Sequence, residues 1–318
     1  MIRTLAALLA ALAAGPLQDK KPDKPPQEEL PAEMKWELQK DDRFDFKWAY
    51  DESRKHVPGQ GDPSETTDKR DVTGEVTFKE GADGQPGTIV LVVKKVLYSV
   101  TSRDHDIIVT YTEGKKVDVR VKVKGDPRAT PTAKEGLKVV ANLLADNMKK
   151  QVEGAFTIVP NFRKNQTMIL HDNIPSKPGP GLFDKIFLHS QLPTGSIKQG
   201  QTWKDPVDNA LMPTGLMEAS TIDYKVPTVN ATSIVVKAGF QVPIVKPPTV
   251  TDQKVTGSYA IAREYNFHRG GYLQSSKEDV TFAKKVDASG ADAAFYKEDS
   301  SAYTKQQLTI KKKPAEKK

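Results

Sequence analysis

Strict alternation of apolar and polar residues constrains this chain more than any other feature. In residues 117–124, Val117, Val119, Val121 and Val123 alternate with Asp118, Arg120, Lys122 and Lys124. Side chains along a strand point to opposite faces, so this spacing predicts one dry face and one wet face. The same period places Ile234, Val236, Ala238, Phe240, Val242 and Ile244 on one face. It also aligns Val255, Gly257, Tyr259 and Ile261, then Tyr265 and Phe267 beyond Arg263. Near the start of the folded region, Phe44, Phe46, Trp48 and Tyr50 form an aromatic stripe, while residues 89–93 are apolar on both faces, as in a central strand. Turn-forming stretches rich in Gly, Asp and Pro separate these runs, which favours antiparallel meanders over a parallel α/β sheet.

One amphipathic helix interrupts the pattern. Leu137, Val140, Ala141, Leu144 and Met148 follow helical spacing over 133–150, Thr132 and Glu135 suit a capping box, Lys149 and Lys150 suit the C-terminal dipole, and Gly154 ends it. A weaker helix is expected from Leu182 to Ser190. Val72-Thr73-Gly74 and Val255-Thr256-Gly257 open similar alternating runs in the two halves of the chain. The expected fold is therefore mainly β, a β-rich α+β chain of antiparallel meanders. The halves form either one sheet or two similar half-barrel or sandwich-like lobes, with the helix between them.

The termini set the compartment expected for the chain. Arg3 precedes an apolar run from Leu5 to Ala14 that ends in small residues. This is the layout of a secretory signal peptide, assigned to residues 1–18, and it is too short to span a bilayer. Residues 19–33 mix Pro, Lys and Glu with little to bury and are expected to form a disordered linker. An N-terminal β lobe (34–160), a C-terminal β lobe (161–311) and a basic tail (312–318) follow. Most of the net charge of +7 resides in the ends, which leaves about +3 on the body and argues against a nucleic-acid partner. With no Cys, stability has to come from the apolar core rather than from disulfides. The expected location is periplasmic or secreted, with no transmembrane segment after signal removal.

Leu192-Pro193-Thr194-Gly195 lacks the variable residue of a wall-sorting signal, and no apolar segment precedes the basic end. The stretch instead reads as a turn leading into a strand, with Gly200 turning the chain and Trp203 as a structural anchor. Together with the aromatic strand of residues 36–48, the helix and the following Gly154-Ala155-Phe156, it resembles an uncharacterised family of exported bacterial β-rich proteins. That resemblance implies a signal peptide and a mostly β fold over roughly residues 34–310; it implies no catalytic residues.

Chemistry-bearing motifs are sparse. The chain has no Gly-x-Ser-x-Gly elbow, Ser196 being the nearest approach, and no phosphate loop or His-Glu-x-x-His. Its histidines stand apart at 56, 105, 171, 189 and 268. Asp104, His105 and Asp106 are weak metal-ligand candidates, since oxygen and imidazole donors adjoin there, but the same residues suit a hairpin tip. Asn165 and Asn230 begin glycosylation triplets that matter only in a eukaryotic secretory route. No catalytic residue and no cofactor is assigned. The favoured function is a non-enzymatic envelope-associated binding or scaffold role for an apolar or polymeric ligand. The alternative is an extracellular hydrolase whose site is assembled from dispersed carboxylates and His.

Overall fold

Antiparallel strands dominate the computed structural model. It describes residues 42–79, 88–125, 130–153, 196–206, 221–244, 253–269, 272–288 and 297–314, with the two-residue strands at 32–33, 157–158, 161–162 and 169–170. The first half holds β1 (Ala32–Glu33), β2 (Arg43–Pro58), β3 (Ser64–Lys79), β4 (Thr88–Ser102), β5 (His105–Thr112) and β6 (Asp118–Val123). Helix α1 (Pro131–Glu153) comes next, followed by the short β7 (Thr157–Ile158), β8 (Asn161–Phe162), β9 (Ile169–Leu170) and β10 (Ser196–Ile197). The second half holds β11 (Thr202–Pro206), β12 (Thr221–Val229), β13 (Ser233–Pro243), β14 (Gln253–His268), β15 (Tyr272–Ala288) and β16 (Glu298–Lys312).

Eleven strands lie in one hydrogen-bonded path, β11-β12-β13-β14-β15-β16-β2-β3-β4-β5-β6. Each half is a meander of sequential neighbours, as the alternation and short turns require. The halves meet where β16 pairs with β2, from Glu298 opposite Pro58 to Lys312 opposite Phe44. They are therefore one continuous sheet, and its end strands β11 and β6 are not paired, so it does not close into a barrel. Pro31–Lys318 forms one compact unit. Ala32–Glu33, which composition places in the linker, pairs with Ser196–Ile197.

Alternation decides which face is dry. Phe44, Phe46, Trp48 and Tyr50 are all buried, as their period demands. Two apolar clusters lie on the same face of the sheet. One is built on Trp48, Val72, Val96 and Ile107 from β2 to β5, the other on Tyr224, Ile234, Val236 and Tyr265 from β12 to β14, and Leu273 touches both. The 89–93 run is less symmetrical than its composition suggests: Leu91 is buried and Val90 and Val92 are half-buried. Along β6, Val119 and Val123 are half-buried while Val121 is 37% exposed, because β6 is an edge strand with a neighbour on one side only.

Helix α1 packs against β5 and β6. It starts earlier and is capped differently from the pattern-based expectation. Pro131 takes the first turn, where its missing N–H costs nothing, and the Thr130 hydroxyl accepts from the Ala133 amide at 3.3 Å. Thr132 and Glu135 are thus not the capping pair. The buried stripe is Ala141, Ala145, Met148 and Val152. Leu144 is half-buried beside it, whereas Val140 is 56% exposed. The helix sits rotated from the expected face because two alanines on adjacent turns allow close approach to the sheet. Gly154, Leu182–Ser190 and residues 192–195 lie outside the described residues.

Gly74 falls inside β3, not at its start, at a register shift opposite β4. A Cβ there would lie 2.2 Å from the Val92 carbonyl oxygen and 2.5 Å from Phe46 Cε1. Gly257 is equally confined, 2.1 Å from the Ala283 oxygen. The shared Val-Thr-Gly thus marks a place in each half where backbone crowds backbone. Two outcomes follow from this packing. Gly74→Ala is expected to destabilise by about 1–3 kcal/mol in denaturant titration, since the opposing atom is backbone and has no alternative rotamer. Leu308→Ala, at the β16–β2 junction, is expected to cost about 2–5 kcal/mol. Trp48 and Trp203 fluorescence should then report the same lowered midpoint in both halves.

Candidate functional site

A single cross-strand row traverses the dry face from one edge of the sheet to the other. In the second half it runs Trp203, Tyr224, Ala238, Arg263, Glu278, Gln306. It crosses the junction to Tyr50 and continues through Arg70, Tyr98, Val109 and Val119. The ends of this row are aromatic or aliphatic, whereas its centre is polar, and Arg70, Arg263, Glu278 and Gln306 are all buried. Ionisable groups are rarely buried unless paired.

Arg70 stands between two tyrosines on the neighbouring strands. Its guanidinium carbon lies 5.1 Å from the Tyr50 ring centroid and 4.6 Å from that of Tyr98, a double cation–π arrangement. Asp68 accepts from Arg70 Nε at 3.0 Å and from Nη2 at 2.8 Å. Burial works against the Arg70 charge, yet Asp68 and the tyrosines hold its pKa above the ordinary guanidinium value. Burial also pushes the Tyr98 phenol up to about 12, against the lowering pull of Arg70. One row along, Glu52 accepts from Arg54 Nη2 at 2.9 Å and from the Thr304 hydroxyl at 3.3 Å.

Across the junction, hydrogen bonds link four strands. Trp48 Nε1 donates to Gln306 Oε1 at 3.4 Å, and Gln306 Nε2 donates to Glu278 Oε1 at 2.5 Å. The other carboxylate oxygen of Glu278 takes Arg263 Nε. Burial opposes the Arg263 charge, and Glu278 more than compensates. The charges therefore balance in pairs: Arg70 with Asp68, Arg54 with Glu52, Arg263 with Glu278.

Some polar groups on this face are unpaired among the described residues. Arg70 Nη1, Trp203 Nε1 and the Ser276 hydroxyl are buried and make no hydrogen bond among the described residues. Arg263 donates to the Tyr265 hydroxyl oxygen, whose own proton has no acceptor among the described residues. Tyr265 and Ser276 are cross-strand partners, and the row they occupy adjoins that of Arg70. A buried donor left unpaired costs about 1–3 kcal/mol.

The residues singled out from the sequence sit elsewhere, apart from Trp203. Trp203 is half-buried on the edge strand β11 and stacks on Tyr224, with centroids 4.9 Å apart and planes 6° from parallel. Gly200 turns the chain ahead of it with φ of +80°. Asp104, His105 and Asp106 occupy the β4–β5 hairpin. There the Ser102 hydroxyl accepts from the amides of Asp104 at 3.3 Å and His105 at 3.1 Å. The Asp106 carboxylate pairs with Lys124 Nζ at 2.5 Å, which lowers its pKa. Among the described residues no group of three His, Cys, Asp or Glu is placed to hold a metal ion. Ser300 and His56 lie on neighbouring strands β16 and β2, 2.8 Å apart, and Ser102 Oγ and His105 Nδ1 lie 3.2 Å apart in the β4–β5 hairpin. Ser300 donates to Glu298 at 2.5 Å, so its proton is directed away from the imidazole that would have to accept it. The Asn230 side chain accepts from the amides of Thr232 and Ser233 and shapes the β12–β13 turn.

Arg70, Arg263, Glu52 and Glu278 escaped sequence reasoning, although each carries a legible signal. Each is a charged residue in the inward phase of an otherwise apolar alternation: Glu52 follows the aromatic stripe, and Arg70 precedes Val72 and Gly74.

No family model matches the chain, and no curated protein matches it. Among solved structures, a lipovitellin described for its lipid–protein interactions overlaps 89% of this chain and 26% of its own, at 12% identity and a TM-score of 0.34. An outer membrane channel from Pseudomonas putida F1 overlaps 90% of this chain and all of its own, at 7% identity and a TM-score of 0.20. Neither likeness assigns an activity. No described helix is long and apolar enough to cross a membrane.

The raised Tyr98 pKa has a consequence at alkaline pH. Its stabilising contribution is complete below the unfolded value of 10.0 and is lost as pH rises towards about 12. Unfolding midpoints should therefore fall across that window by about 1–3 kcal/mol from this residue. Tyr98→Phe should flatten the slope.

Proposed function

We propose that this chain is an exported, non-enzymatic binding protein that takes up an apolar, lipid-like molecule on the dry face of its sheet. One observation carries the reading: large apolar side chains and unpaired buried donors share a single face of a sheet that does not close on itself. A face that served packing alone would pair or omit such donors. A ligand site, by contrast, combines an apolar lining with a small number of placed polar groups. The apolar run ahead of residue 18 supports delivery of the chain to the envelope, where apolar molecules without a carrier meet water.

Binding is favoured over hydrolysis by what the polar groups are. The carboxylates of Glu52, Asp68 and Glu278 are each committed to an arginine.

Native mass spectrometry of the protein purified from its host's envelope tests the proposal. A retained, organic-extractable species of defined mass is expected, together with saturable uptake of an apolar fluorescent probe by the extracted protein. Absence of both would overturn it. Intact mass should also place the mature N-terminus between Ala14 and Asp19; a full-length chain in the envelope fraction would contradict export by signal cleavage.

A further inference from the structure

We infer that the outer side of helix α1 is where two copies of this chain meet, the two helices packing antiparallel about a two-fold axis near Leu143. Val139 is 49% exposed, Val140 56% and Leu143 65%. These three large aliphatic side chains stand within about two turns, away from the stripe of Ala141, Ala145, Met148 and Val152 that is buried. One exposed aliphatic residue needs no explanation, whereas a cluster on one helix face marks a surface with a partner. Beside them Gly136 faces open space: apart from the helix itself, no atom lies within 4 Å of where a Cβ would be. A glycine inside a helix weakens it. Nothing in the rest of the chain crowds this one, and a second helix lying over it would use the room.

Charge selects the occupant. Glu135, Val139, Leu143 and Lys150 follow one another at spacings of four, four and seven, so they lie along one line of the helix. The ends of that line carry opposite charges, and neither has an ion pair among the described residues, whereas neighbouring Lys149 is taken by Glu153 at 3.7 Å. Glu135 and Lys150 are about 22 Å apart along the helix, so they cannot meet within one chain. Laid antiparallel on a second copy, the line matches itself. Glu135 meets the partner's Lys150 at both ends, Leu143 meets its own counterpart near the middle, and the helix dipoles oppose. The same register brings Asp146 beside the partner's Lys138. A parallel pair would set like charge against like. A lipid surface would call for a mostly basic rim, and this line has one acid for its one base. The strip is small. Its 23 residues make a helix about 34 Å long and about 10 Å wide, well under the roughly 800 Å² per partner of a stable complex. The pairing is therefore weak and reversible.

Sedimentation equilibrium of the chain recovered from its host's envelope, from about 10 µM to about 1 mM, is expected to show a monomer–dimer equilibrium. Leu143→Glu should abolish the dimer. Glu135→Lys and Lys150→Glu should each weaken it several-fold, and the two together in one chain should restore it to within about twofold. The chain has no Cys, so Leu143→Cys should give a disulfide-linked dimer on oxidation with diamide. Thr281→Cys, exposed on the wet face of the sheet, should not. Circular dichroism of each variant checks that the helix is kept. A chain that stays monomeric at every concentration would overturn the inference. Maleimide labelling of Leu143→Cys would then tell an open face from one covered by the chain's own residues. Binding to anionic vesicles that Leu143→Glu removes would overturn it in favour of a membrane. A dimer that survives Leu143→Glu, or single charge reversals that the double swap does not rescue, would place the contact elsewhere.

Discussion

The pairing of β16 with β2 holds the rest of the architecture together. It joins strands from opposite ends of the folded region, with Leu308 opposite Trp48 and Gln306 opposite Tyr50. Without it, the chain would be two shorter meanders, each exposing a long unpaired strand, and such edges invite aggregation. With it, the two apolar clusters become neighbours on one surface bridged by Leu273. The polar row also becomes continuous, because Trp48 reaches Gln306 and Gln306 reaches Glu278 only across this seam. A junction of such sequence separation forms late and at an entropic cost, so it is stabilised by burial on one side and by hydrogen bonds along its whole length.

The buried polar row is unusual for what it omits. Arg70, Arg263, Glu52 and Glu278 are tolerable on a dry face because each has a charged partner, and Arg70 also sits between two aromatic rings. Replacing such pairs by apolar residues is often neutral or stabilising in other proteins, so retention of the row is weak evidence for stability alone. Helix α1 performs a different task. It covers β5 and β6 at one end of the sheet through a narrow stripe of Ala141, Ala145, Met148 and Val152 and leaves Val139, Val140 and Leu143 exposed on its outer side. The second cluster, built on β12 to β14, is made from strand residues.

Much of the fold was legible from period-2 spacing. The aromatic stripe of Phe44 to Tyr50, the alternation of Ile234 to Ala238 and the inward run of Tyr259 to Phe267 are all on the dry face. The helix was legible too, but its rotation was not: Val140 matches the periodicity as well as Ala145 does, and only close approach to the sheet selects the alanine. The cap at Thr130 was misplaced because Thr130 and Thr132 are chemically alike and Pro131 fits either frame. In the site, Trp203 was found because a lone tryptophan after a turn is conspicuous. Arg70 and Arg263 were missed because a charged residue in a strand is read by default as facing water.

The sequence by itself determined which residues share a face, since side-chain direction along a strand is set by covalent geometry and needs no partner. It also determined that the neighbours would be antiparallel, because the turns are too short for crossovers. Only the tertiary structure decided that both meanders would join into one sheet, that Arg263 would meet Glu278 across strands, and that certain buried polar groups would be left unpaired. Those outcomes depend on register between strands far apart in sequence, where a shift of one residue would turn every inward side chain outward.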